Sequence, residues 1–225
     1  MLSIWPLLLI LTTVTAKIDV AQEKASELHV SQPKVKDAAE HVDHRKVYTE
    51  LFKLRRREHS GAIESIKKID FQKRRPFLEE VLTSVSKILL ECREKLERIQ
   101  HAATDPFPHD SETLRDLLSK VVENTAFFSD LSLHFSQFFE KKLAKDRKLK
   151  TTVVWAFNYA KDTGLLDPET LDRVNLMAQQ HEIVQRSPEL EEIEREAYEE
   201  MKRKKSREGE REKASEKKRP RTSCK

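Results

Sequence analysis

Apolar and polar positions along this chain alternate with the period of a helix. From Asp37 onward, Val47, Leu51 and Leu54 recur at spacings of four and three, which puts them on one helix face, with Lys53, Arg55, Arg56 and Arg57 alongside. Ile63, Ile66 and Ile69 continue a stripe past Gly61, where a kink or interruption is expected. Pro76 reads as the opening of a second helix, because the first helical turn has no use for the amide hydrogen that proline lacks. Behind it Leu78, Leu82, Val85, Leu89, Cys92, Leu96 and Ile99 alternate steps of four and three, a heptad seam that Val81 and Ile88 widen. A seam that broad suits a helix packed against two neighbours in a bundle better than an isolated coiled coil.

The segment Asp105-Pro106-Phe107-Pro108-His109-Asp110 reads as a turn, with Asp110 or Ser111 placed to cap a third helix. Leu114, Leu118, Val121, Thr125, Phe128, Phe135 and Phe139 mark its face, and the polar Ser132 on that stripe predicts a break near Ser129 to Ser132. A fourth helix covers about Lys148 to Asp162, carrying Val153, Val154, Trp155 and Phe157, with Gly164 as its stop. Asp167-Pro168 starts a fifth, with Leu171, Val174, Met177 and Ala178. No strand-like alternation intervenes. The fold class is therefore all-α: a compact bundle of four or five helices over residues 37–184, followed by a charged tail, residues 185–225.

Charge changes the reading of that tail. Glu189, Glu191, Glu192, Glu194, Glu196, Glu199 and Glu200 precede Lys202, Arg203, Lys204, Lys205 and Arg207. Acids first and bases last suit the helix dipole, and Glu199 with Arg203 and Glu200 with Lys204 stand four apart. A solvated helix is expected here, giving way to disorder beyond Gly209. The chain has 225 residues, 37% hydrophobic and 36% charged, so a normal core is diluted by this tail. Most of the net charge of +4 also belongs to the tail, and nucleic acid is not an expected partner. Three scattered glycines, Gly61, Gly164 and Gly209, exclude a glycine-rich phosphate loop.

The N-terminus adds a compartment. Ile4 to Leu11 is apolar, and Thr12 to Ala16 presents the small Val14 and Ala16 ahead of Lys17. This is the pattern of a signal peptide, residues 1–16, cut after Ala16. The run is shorter than the ~20 residues a membrane span needs, so no membrane span is expected once it is removed. Residues 17–36 form a polar, flexible leader. The expected location is the lumen of the endoplasmic reticulum or the outside of the cell, and a nuclear location would require the signal to fail. Cys92, on the apolar seam, is expected as a buried free thiol, and Cys224 at the end is available to pair with another chain. Asn124, Asn158 and Asn175 are not followed by the Ser or Thr of a glycan sequon.

Chemistry-bearing groups do not converge. His41 and His44 stand three apart near Glu40 and Asp43, but no further ligand completes a metal set. Ser, His and Asp occur without a nucleophile turn. The expectation is a binding protein rather than an enzyme, with no catalytic residue, metal, cofactor or small-molecule substrate. Candidate partner-binding residues are Glu123, Asn124, Phe127 and Trp155. A buried hydrogen bond that sets helix register is the favoured role of Asn124 over partner contact. Phe127 points about a hundred degrees away from Phe128, which makes an exposed aromatic anchor a reading for one of them. Trp155 reads first as core. In the tail, Lys202, Arg203, Lys204, Lys205, Lys217, Lys218 and Arg219 are candidates for electrostatic contact with an acidic surface.

Several of these segments have a familiar combination. The run Val121-Val122-Glu123-Asn124-Thr125-Ala126-Phe127-Phe128, with Pro106-Phe107-Pro108 before it and Phe135 after it, resembles the coiled-coil domain-containing protein 134 family. Tyr48 with Phe52, Arg55-Arg56-Arg57-Glu58, Trp155, Thr163-Gly164 and Leu176-Met177-Ala178-Gln179 agree with it, over roughly residues 45–183. The resemblance implies a luminal or secreted adaptor that associates with the oligosaccharyltransferase at the translocon and with nascent endoplasmin, limiting its excess glycosylation. It also implies, as alternatives, a secreted ligand that damps mitogen-activated kinase signalling through ERK and JNK, or a nuclear partner of a transcriptional adaptor. Two departures stand out. Family members can end in a retrieval-like Ser-Glu-Leu, whereas this chain ends Thr222-Ser223-Cys224-Lys225, and Asp162 stands where the family can carry the Asn of a sequon.

Overall fold

A computed structural model describes residues 43–217, which form seven helices, α1 (His44–Lys67), α2 (Phe71–Arg98), α3 (Glu112–His134), α4 (Ser136–Lys145), α5 (Arg147–Asp162), α6 (Pro168–Gln180) and α7 (Pro188–Lys217). The signal-peptide and leader readings, His41, and Lys218, Arg219 and Cys224 at the other end lie outside these residues. The all-α bundle expected from periodicity is what the chain forms.

Five of the helices start where a side chain can satisfy their first amides. Asp43 caps α1 by accepting from the amides of Arg45 and Lys46 at 3.1 and 3.2 Å, Asp146 caps α5 through Leu149 at 2.9 Å, and Asp167 caps α6 through Thr170 at 3.0 Å. Ser111 caps α3 through the amide of Leu114, as its position suggested. Gly164 ends α5 with φ of +61°, a left-handed conformation that glycine adopts without steric cost.

α3 is the centre of the molecule, packed by α1, α2, α4, α5 and α6. It buries Leu117, Leu118, Val121, Val122 and then every residue from Thr125 to Ser132. The seam of α2 behaves as its spacing predicts: Leu78, Leu82, Val85, Leu89, Cys92 and Leu96 are buried against this helix and α5, while Ile99, past the helix end, is exposed. Burial also pushes the Cys92 thiol up to about 11, so it stays protonated and behaves as a small apolar group.

Four local expectations need correction. First, α1 turns Val47, Leu51 and Leu54 outward, with 46%, 41% and 53% exposure, and buries Tyr48, Phe52 and His59 instead, while Ile63 and Ile66 are buried as their stripe predicts. Two stripes of equal period compete on this helix. The winning one carries the larger aromatic surface, and Arg55 and Arg56 beside it find carboxylates on α3. Secondly, Gly61 sits inside an uninterrupted helix.

Thirdly, α2 begins at Phe71, capped by Asp70, so Pro76 lies inside the helix rather than at its opening. Pro76 is exposed, and the corner before it is held by Arg74, which donates to the carbonyls of Lys67 and Ile69 at 2.7 and 2.8 Å. Fourthly, α3 does not break at Ser129 to Ser132. Those hydroxyls donate back to the carbonyls of Thr125 and Ser129 at 2.8 and 3.0 Å and are satisfied within the helix. The break comes at Phe135, with φ −125° and ψ 44°, and Phe139 belongs to the short α4, where it is fully buried.

The described side chains of α7 are all exposed, and this helix passes Gly209 to reach Lys217 instead of giving way there. Internal pairs such as Lys204 to Glu200 at 2.8 Å support it in place of tertiary packing.

Candidate protein-binding interface

The polar residues that matter most in this bundle form a network between α1, α3 and α6. Consecutive arginines on α1 reach different acids one heptad apart on α3: Arg55 Nε donates to Glu123 at 2.8 Å, and Arg56 Nη1 to Asp130 at 2.5 Å. Asp130 Oδ1 also accepts from Arg173 Nε of α6 at 2.6 Å. With a side chain only 4% exposed, Asp130 is a buried carboxylate shared by two guanidinium groups. Arg56 donates in addition to the Thr170 hydroxyl at 3.0 Å, which in turn donates to Asp167 at 2.8 Å. A buried charge is tolerated only when it is paired and its lone pairs are used, and this arrangement meets both conditions.

His59 completes the network. Its Nδ1 lies 3.2 Å from Arg56 Nη1. Because a guanidinium can only donate, Nδ1 accepts, and the neutral ring keeps its hydrogen on Nε2. The ring stacks on Phe127 with centroids 4.7 Å apart. Burial, reinforced by the positive charges of Arg56 and Arg55, holds His59 well below the ordinary histidine range. Glu123 is moved upward by burial, with Arg55 opposing. Burial beside Glu123 pushes the Tyr48 hydroxyl well above its usual range.

The candidate partner-binding residues are placed as follows. Glu123 and Phe127 lie together beneath α1, one ion-paired to Arg55 and the other 6% exposed under His59. Phe128 is buried as well, so neither phenylalanine projects as an anchor; α3 is covered on enough sides to bury both. Asn124 is half-buried and donates to the Lys120 carbonyl at 2.8 Å, a bond within its own helix. Trp155 is apart from these, half-buried on α5, 5.1 Å from the Tyr159 ring and with the Arg93 guanidinium 5.8 Å from its centroid. Tyr159 meets His101 Nδ1 at 2.7 Å on the same side of the molecule.

On α7, Lys202, Arg203 and Lys204 are exposed; Lys205 and Lys217 belong to the same helix. The network residues Asp130, His59 and Arg173 were not singled out by sequence reasoning. The signal was present in Asp130, an acid inside the run Phe127 to Ser132 that is otherwise apolar or small, seven residues after Glu123 and thus on its face.

The arrangement can fasten helices and present a charged and partly apolar exterior. Among the described residues, no group of three or more His, Cys, Asp or Glu side chains is placed to hold a metal ion, and no helix is long and apolar enough to cross a membrane. A shallow groove between α3, α4 and α6, lined by Leu133, His134, Glu140, Leu176 and Gln180, lies open to solvent.

Comparison with known proteins supplies the relationship. The chain is similar to coiled-coil domain-containing protein 134 of Mus musculus, 29% identical over 143 residues that cover 63% of this chain and 62% of that one. It is similar to the protein of the same name from Xenopus tropicalis, 26% identical over 146 residues that cover 64% and 63%. The matched region thus spans under two thirds of each of these relatives. No solved structure matches. The sequence pattern of the family described as "ERK and JNK pathways, inhibitor" matches residues 33–225. That match takes in all the described helices and most of the chain, and the chain therefore belongs to this family of ERK and JNK pathway inhibitors.

Proposed function

We propose that this protein lowers ERK and JNK pathway output by binding a protein partner, without catalysing a reaction, from within the secretory pathway or outside the cell. The observation that carries this reading is the family match over residues 33–225, which includes both the packed helices and the exposed α7. The bundle supplies a rigid exterior, and the bases Lys202, Arg203 and Lys204 on solvated α7 supply attraction for an acidic surface on the partner. The test is to add the purified, secreted chain to cells and to express it within them, then follow phosphorylated ERK and JNK after stimulation. A fall in both supports the proposal, and unchanged phosphorylation in both formats removes it. Replacing Lys202, Arg203 and Lys204 with Glu should weaken the effect and its dependence on salt.

A second reading is favoured by the similarity to coiled-coil domain-containing protein 134 and by the signal-like first sixteen residues. In it the chain is a luminal adaptor at the oligosaccharyltransferase that limits glycosylation of nascent endoplasmin. Mild crosslinking followed by affinity purification separates the two. Recovery of oligosaccharyltransferase subunits and endoplasmin, with a more heavily glycosylated endoplasmin when the chain is depleted, supports the adaptor; their absence removes it.

A further inference from the structure

Two uncovered apolar strips on this chain complement one another. On α1, Val47, Leu51 and Leu54 are all more than two-fifths exposed and fall within about 60° of one another around the helix. Further along the same strip, past Glu58, which pairs with Arg55 at 2.6 Å, a Cβ added at Gly61 would meet nothing within 4 Å. One edge of the strip carries the exposed Lys46, Lys53 and Arg57 against a single acid, Glu50, which pairs with Lys53 at 2.7 Å.

On α7, Ile193, Ala197 and Met201 recur every four residues, and Ile193 and Met201 are 62% and 66% exposed. One edge of this second strip is acidic, with Glu189, Glu192, Glu196 and Glu200 at steps of three and four. Among the described residues each strip is therefore an amphipathic helix face lacking a partner, and the charges along their edges have opposite sign.

We propose that the first half of α7 from one copy of this chain lies along the Val47–Leu54 strip of a second copy, with Glu192 and Glu196 facing Lys53 and Arg57, and that the exchange is reciprocal. Two different patches give a ring or an open filament when each copy gives to one neighbour and receives from another, and a closed two-fold dimer with two such contacts when the same two copies exchange with each other. Within its own chain α7 leaves the end of α6 through a short connection and its strip stays uncovered. Opposite charge favours α7 over a basic or neutral helix as occupant of α1. Three apolar residues on each side make each contact modest, so the dimer forms with micromolar rather than nanomolar affinity.

Sedimentation velocity on the full chain, from roughly 1 to 100 µM, tests this. The expected result is a reversible monomer–dimer equilibrium weakened by salt. Leu51→Glu and Ile193→Glu should each raise the dissociation constant about tenfold or more and leave the melting temperature unchanged, because both side chains are exposed. Lys53→Glu and Glu196→Lys should each weaken the dimer and, combined, restore it. In a Cys224→Ser background, a chain with Leu51→Cys mixed with a chain with Ile193→Cys should oxidise to a disulfide between the two. A chain that stays monomeric throughout, because its own α7 folds back onto α1 or because the strip receives a different protein, overturns the proposal. So does a dimer indifferent to both Glu substitutions.

Discussion

Asp130 is the side chain with most depending on it. Its carboxylate is the shared acceptor for Arg56 and Arg173, so removing it leaves two guanidinium groups facing each other around a nearly dry position. Asp130→Ala should lower stability by about 3–5 kcal/mol, measured by urea unfolding, whereas removing the more exposed Arg173 should cost less because Arg56 remains to pair the carboxylate. His59 adds a pH dependence. Its folded-state value is depressed below the ordinary 6.5, so the unfolded chain takes up a proton more readily than the folded one. Stability is then full above pH 6.5 and falls as pH drops below it, by at most about 1.4 kcal/mol per pH unit for one site.

His181, lowered by its own burial, adds to the same slope. Glu123, raised from 4.5, acts in the opposite sense, with stability gained as pH falls through its raised value, so the loss is clearest just below 6.5. Urea midpoints taken at steps of about half a unit below pH 7 should show the decline, and His59→Gln should lessen it to the part that His181 carries, because glutamine does not titrate.

At the scale of the elements, Pro76 gives the clearest test. It lies five positions past the start of α2, where its missing amide leaves the Gln72 carbonyl without a helical donor. Since Pro76 is exposed, Pro76→Ala should raise stability by roughly 1–3 kcal/mol, read as a higher melting temperature with unchanged helix content. Apart from the short α4, the helices were legible from spacing alone, and the seam of α2 was read correctly residue by residue from Leu78 to Leu96. α1 was misread because Val47, Leu51 and Leu54 follow the same period as Tyr48, Phe52 and His59, and periodicity says nothing about which of two stripes finds a neighbour. What decided it was Arg55 and Arg56 meeting Glu123 and Asp130, a contact between residues more than sixty positions apart in sequence. The break at Phe135 was shifted for a related reason, since serine hydroxyls that disfavour a helix in isolation bond to its carbonyls once buried. Of the candidate partner-binding residues, Glu123 and Phe127 lie against Arg55 and His59 and fasten α1 to α3.

The whole molecule divides into a packed body and an exposed helix. None of the described side chains of α7 is buried, so a chain cut after Ser187 should melt cooperatively within a few degrees of the full protein at low concentration, followed by circular dichroism. A lost or broadened transition would show that α7 supports the body. The link from Arg56 through Asp130 to Arg173 joins helices whose contacting residues are 117 positions apart, as 173 less 56 gives. A ribosome adding about 5–20 residues per second needs roughly 6–23 s to cover that distance. For that interval the newborn α1 has emerged with its twin arginines and aromatic face while the last helix that anchors it has not been translated. Of the described helices the first made is thus the one that waits longest, and a nascent-chain chaperone has its best opportunity there.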